Sequence, residues 1–415
     1  MRFNIDPSRR RRDRPGNPPL KSGPKVLNSE LEMDKEFWYL PQILQSGILN
    51  KPNHFRDLKD LRKRLSNDSL AIELFQEIAK SLPDIVDSGL ALTSLDRLLV
   101  LTQSPAETVK GWLTEKSKFR RFIRLLGSSS FLSQILIQQY PDIMNLNFFQ
   151  DQHISRDRLV QLAISLTCKR QSEKEVTDVL RKFRLEWTLV IASADLLDQL
   201  GISETTRFIS HLADACLEAA LAWSMDRARK RFGNPLTPVG TPCQLVAIAL
   251  GKLGGVELNY SSDVDLIFIC DEDGKTNSQR PIHSSEFFSR VITDFLKILG
   301  GSASSSFVLR VDLRLRPEGN QGPLLMNLEQ TLAYYDTVGR TWERQALIKM
   351  RPCAGSLQLG EEFRNSIEPF VYQRYLTSIE IAEIQALKRR IEHRAKSTGV
   401  SEWDVKTGHG GIRDI

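Results

Sequence analysis

Residues 244–270 read Gln-Leu-Val-Ala-Ile-Ala-Leu, then Gly-Lys-Leu-Gly-Gly, and after a short polar stretch Ser-Ser-Asp-Val-Asp-Leu-Ile-Phe-Ile-Cys. Two apolar runs containing Val246, Ile248, Val264 and Ile267 predict buried strands on either side of a glycine-rich turn. Side chains alternate across a strand, so Asp263 and Asp265 share one face while Val264, Leu266 and Phe268 take the other. Carboxylates that close raise each other's pKa unless a cation neutralises them. An all-oxygen donor set suits Mg²⁺, which keeps waters and takes phosphate oxygens as further ligands. Glycine at 251, 254 and 255, with Lys252 among them and Ser262 next to the acids, lets backbone N–H groups come close to phosphate. The stretch points to a nucleotide; the plainer reading is that both aspartates cap a turn before a core strand.

Residues 306–316 read Ser-Phe-Val-Leu-Arg-Val-Asp-Leu-Arg-Leu-Arg. Phe307, Leu309, Val311, Leu313 and Leu315 alternate with Arg310, Asp312, Arg314 and Arg316, a pattern that predicts one half-buried strand. Asp312 then completes a three-carboxylate metal site with Asp263 and Asp265, and the arginines on its face are suited to bidentate phosphate contacts. An amphipathic edge strand with a solvated charged face is the competing reading, and the first acidic pair weakens it.

Gly251-Lys252, the acidic pair that follows and the third aspartate on a later strand resemble the nucleotidyltransferase fold of the DNA polymerase β type, with Lys252 where most members carry serine. The longer string Gly-Lys-Leu-Gly-Gly-x-Glu-Leu-Asn-Tyr-Ser-Ser-Asp-x-Asp-Leu-Ile-Phe resembles the glutamine synthetase adenylyltransferase family. Residues 310–317, 339–351 (Gly-Arg-Thr-Trp-Glu-Arg-Gln-Ala-Leu-Ile-Lys-Met-Arg), 373–376 (Gln-Arg-Tyr-Leu) and 406–415 (Lys-Thr-Gly-His-Gly-Gly-Ile-Arg-Asp-Ile) agree with it.

The 41% hydrophobic fraction is that of a globular protein, and 415 residues suffice for two or three domains. The formal net charge is +6, and residues 1–25 alone hold eight Lys/Arg against Asp6 and Asp13. The body of the chain is therefore neutral and carries no compositional sign of a nucleic-acid surface. No apolar run is long enough for a membrane helix, and the arginine-rich start lacks a secretory apolar core. Five scattered cysteines without a Cys-x-x-Cys predict reduced thiols in a cytoplasmic protein.

These signals predict an α+β protein, largely helical, with a nucleotidyltransferase domain of mixed sheet and helices inserted between helical regions. A basic disordered tail covers 1–34, a helical domain 35–235, the catalytic domain 236–352, and a helical region 353–415 that ends inside a family motif and so reads as a fragment. Phe208, Leu212, Cys216, Ala219 and Trp223 mark one helix of the first region, with Ser203 as its expected cap and His211 as structural. Gly127 and the serines after it predict a turn between helices. In the catalytic domain, strands are expected at 244–250 and 264–270, a polar loop at 275–281, and a helix at 284–299 with Phe288, Val291, Ile292, Phe295 and Leu299 on its buried face. Residues 316–323 read as a turn-rich loop and 338–351 as a helix. Of that helix's basic residues, Arg344 and Lys349 are the candidates for phosphate, a solvated charged face being the alternative.

The resemblance implies Mg²⁺, ATP or ADP and phosphate at the site, glutamine synthetase as protein substrate, and a PII-type nitrogen signalling protein as regulator. Full-length members carry two nucleotidyltransferase domains. One attaches AMP to a tyrosine of glutamine synthetase and the other removes it by phosphorolysis. The Gly-Arg-x-Trp-Glu-Arg stretch resembles the removing, amino-terminal half. ATP-dependent adenylylation and a non-catalytic docking module of the same system are the alternatives.

Overall fold

The computed structural model describes residues 52–139, 155–197, 200–300, 307–372 and 377–397. The basic tail and the motif stretches at 373–376 and 406–415 lie outside the described residues.

The chain first builds helices α1 (Pro52–Leu65), α2 (Asp68–Ser81), α3 (Ser88–Leu101), α4 (Pro105–Thr114), α5 (Lys116–Leu126) and α6 (Ser130–Gln139). Each of α2 to α5 buries an apolar face with three- and four-residue spacing, such as Phe119, Phe122, Ile123 and Leu126 of α5. Asp87 caps α3 by accepting from the Leu90 N–H at 2.9 Å. The expected turn falls at Gly127, where a Cβ would lie 2.3 Å from Ile85 Cγ2 and 2.9 Å from the Asp87 carbonyl.

Helices α7 (Arg156–Thr167), α8 (Glu173–Leu196) and α9 (Ile202–Phe232) follow. Ser155 and Ser172 cap the first two. The cap of α9 is Gly201, not Ser203; Glu204 reaches back to accept from the Gly201 N–H at 3.4 Å. At 31 residues α9 is about 46 Å long. Its Ala213, Ala215, Ala219 and Ala220 are buried, and their small side chains let α7, α8 and the main sheet approach it closely.

Among the described residues the main sheet has five strands: β2 (Leu245–Ala249), β3 (Val264–Cys270), β5 (Val311–Asp312), β6 (Leu325–Asn327) and β7 (Arg351–Gly355). β2 lies between β3 and β7, antiparallel to both, with Leu245 opposite Cys270 and Ala249 opposite Leu266. β5 and β6 pair in parallel with the same edge of β3, β5 near its start and β6 near its end. A separate ribbon joins β1 (Pro235–Leu236) to β4 (Lys275–Thr276), so the expected polar loop is partly paired. α10 (Gly251–Gly254) is a single turn, and α11 (Ser284–Gly300) is the expected helix with its predicted face fully buried.

Alternation divides the sheet between two apolar layers. Ala247, Ala249, Val264, Leu266 and Phe268 join the core that runs continuously through α9 and α11 back to the first helices. Phe268 meets Phe295 edge to face at 5.5 Å between ring centroids. Val246, Ile248, Ile267 and Ile269 face Tyr335, Phe363 and Ile367, which come from α12 (Leu328–Thr337) and α14 (Leu357–Val371). Val308 and Leu309 are consecutive and both buried, so the expected alternation over 306–316 fails. Only Val311–Asp312 is strand, and 314–318 are turn and bend.

The expected helix at 338–351 is shorter, α13 (Thr341–Leu347), and the chain re-enters the sheet as β7. The expected boundary at 352 thus falls inside a strand. Pro352 is tolerated there because β7 is an edge strand with a register shift opposite Ala247 and Ile248. Helix α15 (Ser378–Ser397) packs on α13. Among the described residues no helix is long and apolar enough to cross a membrane.

Candidate active site

The ladder between β2 and β3 extends one step further through the Leu250 N–H, which donates to the Asp265 carbonyl at 2.9 Å. The chain then turns at Gly251, whose φ of +53° is left-handed. A Cβ there would stand 2.8 Å from Asp265 Oδ2. Gly254 passes directly under the Lys349 carbonyl, where a Cβ would be 1.9 Å away. The N–H groups of Gly254, Gly255, Val256 and Glu257 donate to carbonyls of residues 250, 251, 253 and 252. The expected phosphate cradle therefore narrows to the N–H groups of residues 251–253, which precede the helical acceptors. Lys252 is exposed beside them.

The helical layer fixes the approach to β3. The Leu258 N–H donates to Ser210 Oγ on α9 at 3.0 Å, and the Tyr260 hydroxyl donates to Asp195 Oδ2 on α8 at 2.9 Å. Burial, then Asp195, hold the Tyr260 phenol in its neutral form by raising its pKa. The Glu-Leu-Asn-Tyr part of the long motif thus anchors the strand that carries the acids. Ser262 bonds Asn259 within the same turn.

The structure brings the three aspartates to one edge. Asp265 and Asp312 are register partners across the parallel β3–β5 pair, and Asp263 precedes β3. Arg310 Nε donates to Asp263 Oδ1 at 2.5 Å, and its Nη2 to the Ser261 carbonyl at 2.6 Å. Arg314 grips Asp312 from Nε at 2.8 and 3.0 Å, from Nη2 at 2.5 Å, and from its own backbone N–H at 2.8 Å. The side-chain bonds from Arg314 hold the Asp312 carboxyl below its ordinary range, against the opposing effect of burial. Asp312 in turn raises the Arg314 pKa, with Asp265 and Asp263 adding to the field. Among the described residues no three His, Cys, Asp or Glu are gathered as a ready metal cluster, because two of the acids are turned to arginines.

The remaining candidates separate. Lys349 is exposed, pairs with Glu257 and lies against Gly255, so it belongs to the rim of the turn. Arg316 donates to the carbonyls of Leu313, Gly322 and Pro323 and braces its own loop. Arg344 is away from these contacts, with a side chain only 11% exposed, bonded to Glu380 at 2.5 Å and stacked on Phe370. With Arg340, Trp342, Glu383 and Arg390 it lines a separate cleft of about 560 Å³ between α13 and α15.

Sequence reasoning misses Asp214, which is fully buried in the middle of α9. It accepts from Arg156 Nε at 3.0 Å and from Arg351 Nη1 and Nη2 at 2.8 and 3.0 Å. Arg351 Nη2 also donates to the Leu253 carbonyl at 3.0 Å, tying this triad to the glycine turn. The available signal is a lone aspartate within Leu212-Ala213-Asp214-Ala215-Cys216.

The family model described as glutamate-ammonia ligase adenylyltransferase matches residues 119–366, which contain the whole sheet and all three aspartates. The chain belongs to this family. Two relatives are each named bifunctional glutamine synthetase adenylyltransferase/adenylyl-removing enzyme. The one from Hahella chejuensis is 36% identical over 316 residues, covering 75% of this chain and 32% of the relative. The one from Pseudomonas aeruginosa is 35% identical over 343 residues, covering 81% of this chain and 34% of the relative. The chain thus spans about a third of the length of the relatives it matches. The family's nucleotidyltransferase chemistry accords with the α+β architecture and with nucleotide substrates.

Proposed function

We propose that this chain is a nucleotidyltransferase that removes AMP from an adenylylated tyrosine of glutamine synthetase by phosphorolysis. The observation that carries the reading is the register pairing of Asp265 with Asp312 beside Gly251, with Arg314 against Asp312 and Arg310 against the neighbouring Asp263. The donors fit a hard divalent cation, since all are carboxylate oxygens and glycine leaves open the space that a Cβ would fill. Asp263, Asp265 and Asp312 would hold it. Bound there, Mg²⁺ would neutralise the non-bridging oxygens of the reacting phosphate.

In the proposed reaction an oxygen of inorganic phosphate attacks the α-phosphorus, the bond to the tyrosine oxygen breaks, and ADP forms. The tyrosinate takes up the proton that the phosphate gives. Phosphate is already anionic, so the site has to position an anion more than it has to supply a base. Arg310 and Arg314 meet that need, being exposed guanidiniums next to the acids. Lys252 and Lys349 on the turn would orient the nucleotide. A PII-type regulator is part of the same proposal.

Incubating the chain with Mg²⁺, phosphate and adenylylated glutamine synthetase should release ADP, and Asp265→Asn should abolish release without altering the circular dichroism spectrum. AMP transfer from ATP in place of ADP release would reverse the direction. Full activity in Asp265→Asn would remove the acids from the mechanism.

A further inference from the structure

Asp312 and Arg314 are unequal partners. The aspartate side chain is 14% exposed and fixed in the sheet, whereas the arginine side chain is 73% exposed on a turn. Arg314 occupies both carboxylate oxygens, through Nε at 3.0 and 2.8 Å and Nη2 at 2.5 Å, and its backbone N–H adds a bond at 2.8 Å. A carboxylate has about four acceptor sites, so a cation arriving on those oxygens competes directly with the guanidinium. Asp263 is held more loosely, on one oxygen only, and its side chain is 54% exposed. Arg310 is 52% exposed, holds Oδ1 at 2.5 Å, and rests its guanidinium over the Phe307 ring at 5.4 Å.

We propose that Arg314 and Arg310 are exchangeable counter-cations of the acid site: each is displaced from its aspartate by the divalent cation and then positions the anionic phosphate substrate. The inference rests on the metal and phosphate reading above and adds an antagonism to it. Metal entry and guanidinium release are one exchange. Arg314 is itself 73% exposed, so water solvates the guanidinium as it leaves and the exchange is reversible. A released planar fork one turn away suits phosphate oxygens. Arg314 is a positioning residue whose loss moves two affinities in opposite directions. An arginine that merely stabilised the 313–318 turn would weaken both when removed.

The test uses the full chain. Mn²⁺ binding is followed by the electron paramagnetic resonance signal of the free ion, and inorganic phosphate binding by calorimetry at saturating Mn²⁺. Arg314→Gln should bind Mn²⁺ about 2–5-fold tighter than wild type, the range set by the modest worth of an ion pair open to water on the arginine side, and should bind phosphate about tenfold more weakly. Arg310→Gln, changed on a different segment, should shift both in the same senses. Mn²⁺ affinity that is unchanged or lower in both variants would overturn the exchange. Asp265→Asn and Asp312→Asn separate the two layers of argument. If they abolish Mn²⁺ binding while neither arginine variant tightens it, only the exchange fails; if they leave Mn²⁺ binding intact, the acid site itself fails with it.

Discussion

Replacing Asp214 with alanine removes the one acid shared by Arg156 and Arg351. The carboxylate is fully buried, and the two arginine side chains are 24% and 21% exposed. Each guanidinium keeps a carbonyl, Arg156 that of Cys353 at 2.8 Å and Arg351 that of Leu253 at 3.0 Å, and the one acid left beside Arg156 is the solvent-exposed Asp157 at 3.9 Å. Removing one partner of a buried ionic group costs about 3–5 kcal/mol, because the charges left behind are poorly solvated. For a chain of 415 residues unfolding as a unit, the unfolding entropy is roughly 0.9 kcal/mol/K. The melting temperature of Asp214→Ala should therefore fall by about 3–6 °C in differential scanning calorimetry. A combined Asp214→Leu, Arg156→Met, Arg351→Met variant should recover most of that loss, since an apolar replacement leaves no stranded charge. A single-variant shift below about 1 °C, or a combined variant less stable than the single one, would refute the reasoning.

Two further outcomes follow from other contacts. Gly251→Ala places a side chain at φ +53° and 2.8 Å from Asp265 Oδ2, so it should cost about 1–2 kcal/mol in backbone strain and displace the acid. ADP release should fall about 100-fold, and a loss under twofold would show that Asp265 is not held by this contact. Glu380 is held at about 2, below its ordinary 4.5, first by the Thr377 N–H and then by Arg344 and the Thr377 hydroxyl. A carboxyl depressed in the folded state stabilises above its unfolded pKa and loses that contribution as the pH falls toward the folded one. Hydrogen-exchange protection of residues 378–397, corrected for intrinsic rates, should hold down to pH 5 and decline between 4.5 and about 2. Glu380→Gln should lack the protection at neutral pH, and a transition centred above pH 6 would contradict the assignment.

The parts of the fold legible in the sequence are those where one periodicity governs a whole element. β2, β3 and α11 are such cases, because the two strands sit between two apolar layers, the helix lays one face on a single layer, and each pattern reports this directly. The stretch around Asp312 misleads because its alternation is real in the letters but not in the pairing. Val308 and Leu309 both turn into the core, and Arg316 bends the chain by collecting the carbonyls of its own loop. Helix α13 ends earlier than its charges suggest because Arg351 is drawn to Asp214, 137 positions away, a tertiary attraction that no local window contains. The aspartates themselves are legible, since their spacing fixes the face they occupy. Their arginine partners are legible as residues but not as partners.

The triad also sets an order on synthesis. Arg156 precedes Asp214 by 58 positions, so the first counter-charge has already left the ribosome when α9 forms. Arg351 lies 137 positions downstream, which at 5–20 residues per second is a wait of roughly 7–27 s. In that interval the helical layer can settle as a template with its acid half-neutralised. Arrival of Arg351 closes the cluster, seats the last strand and clamps the carbonyl of Leu253, so the glycine turn reaches its working shape only when nascent residues through about 355 are free to fold.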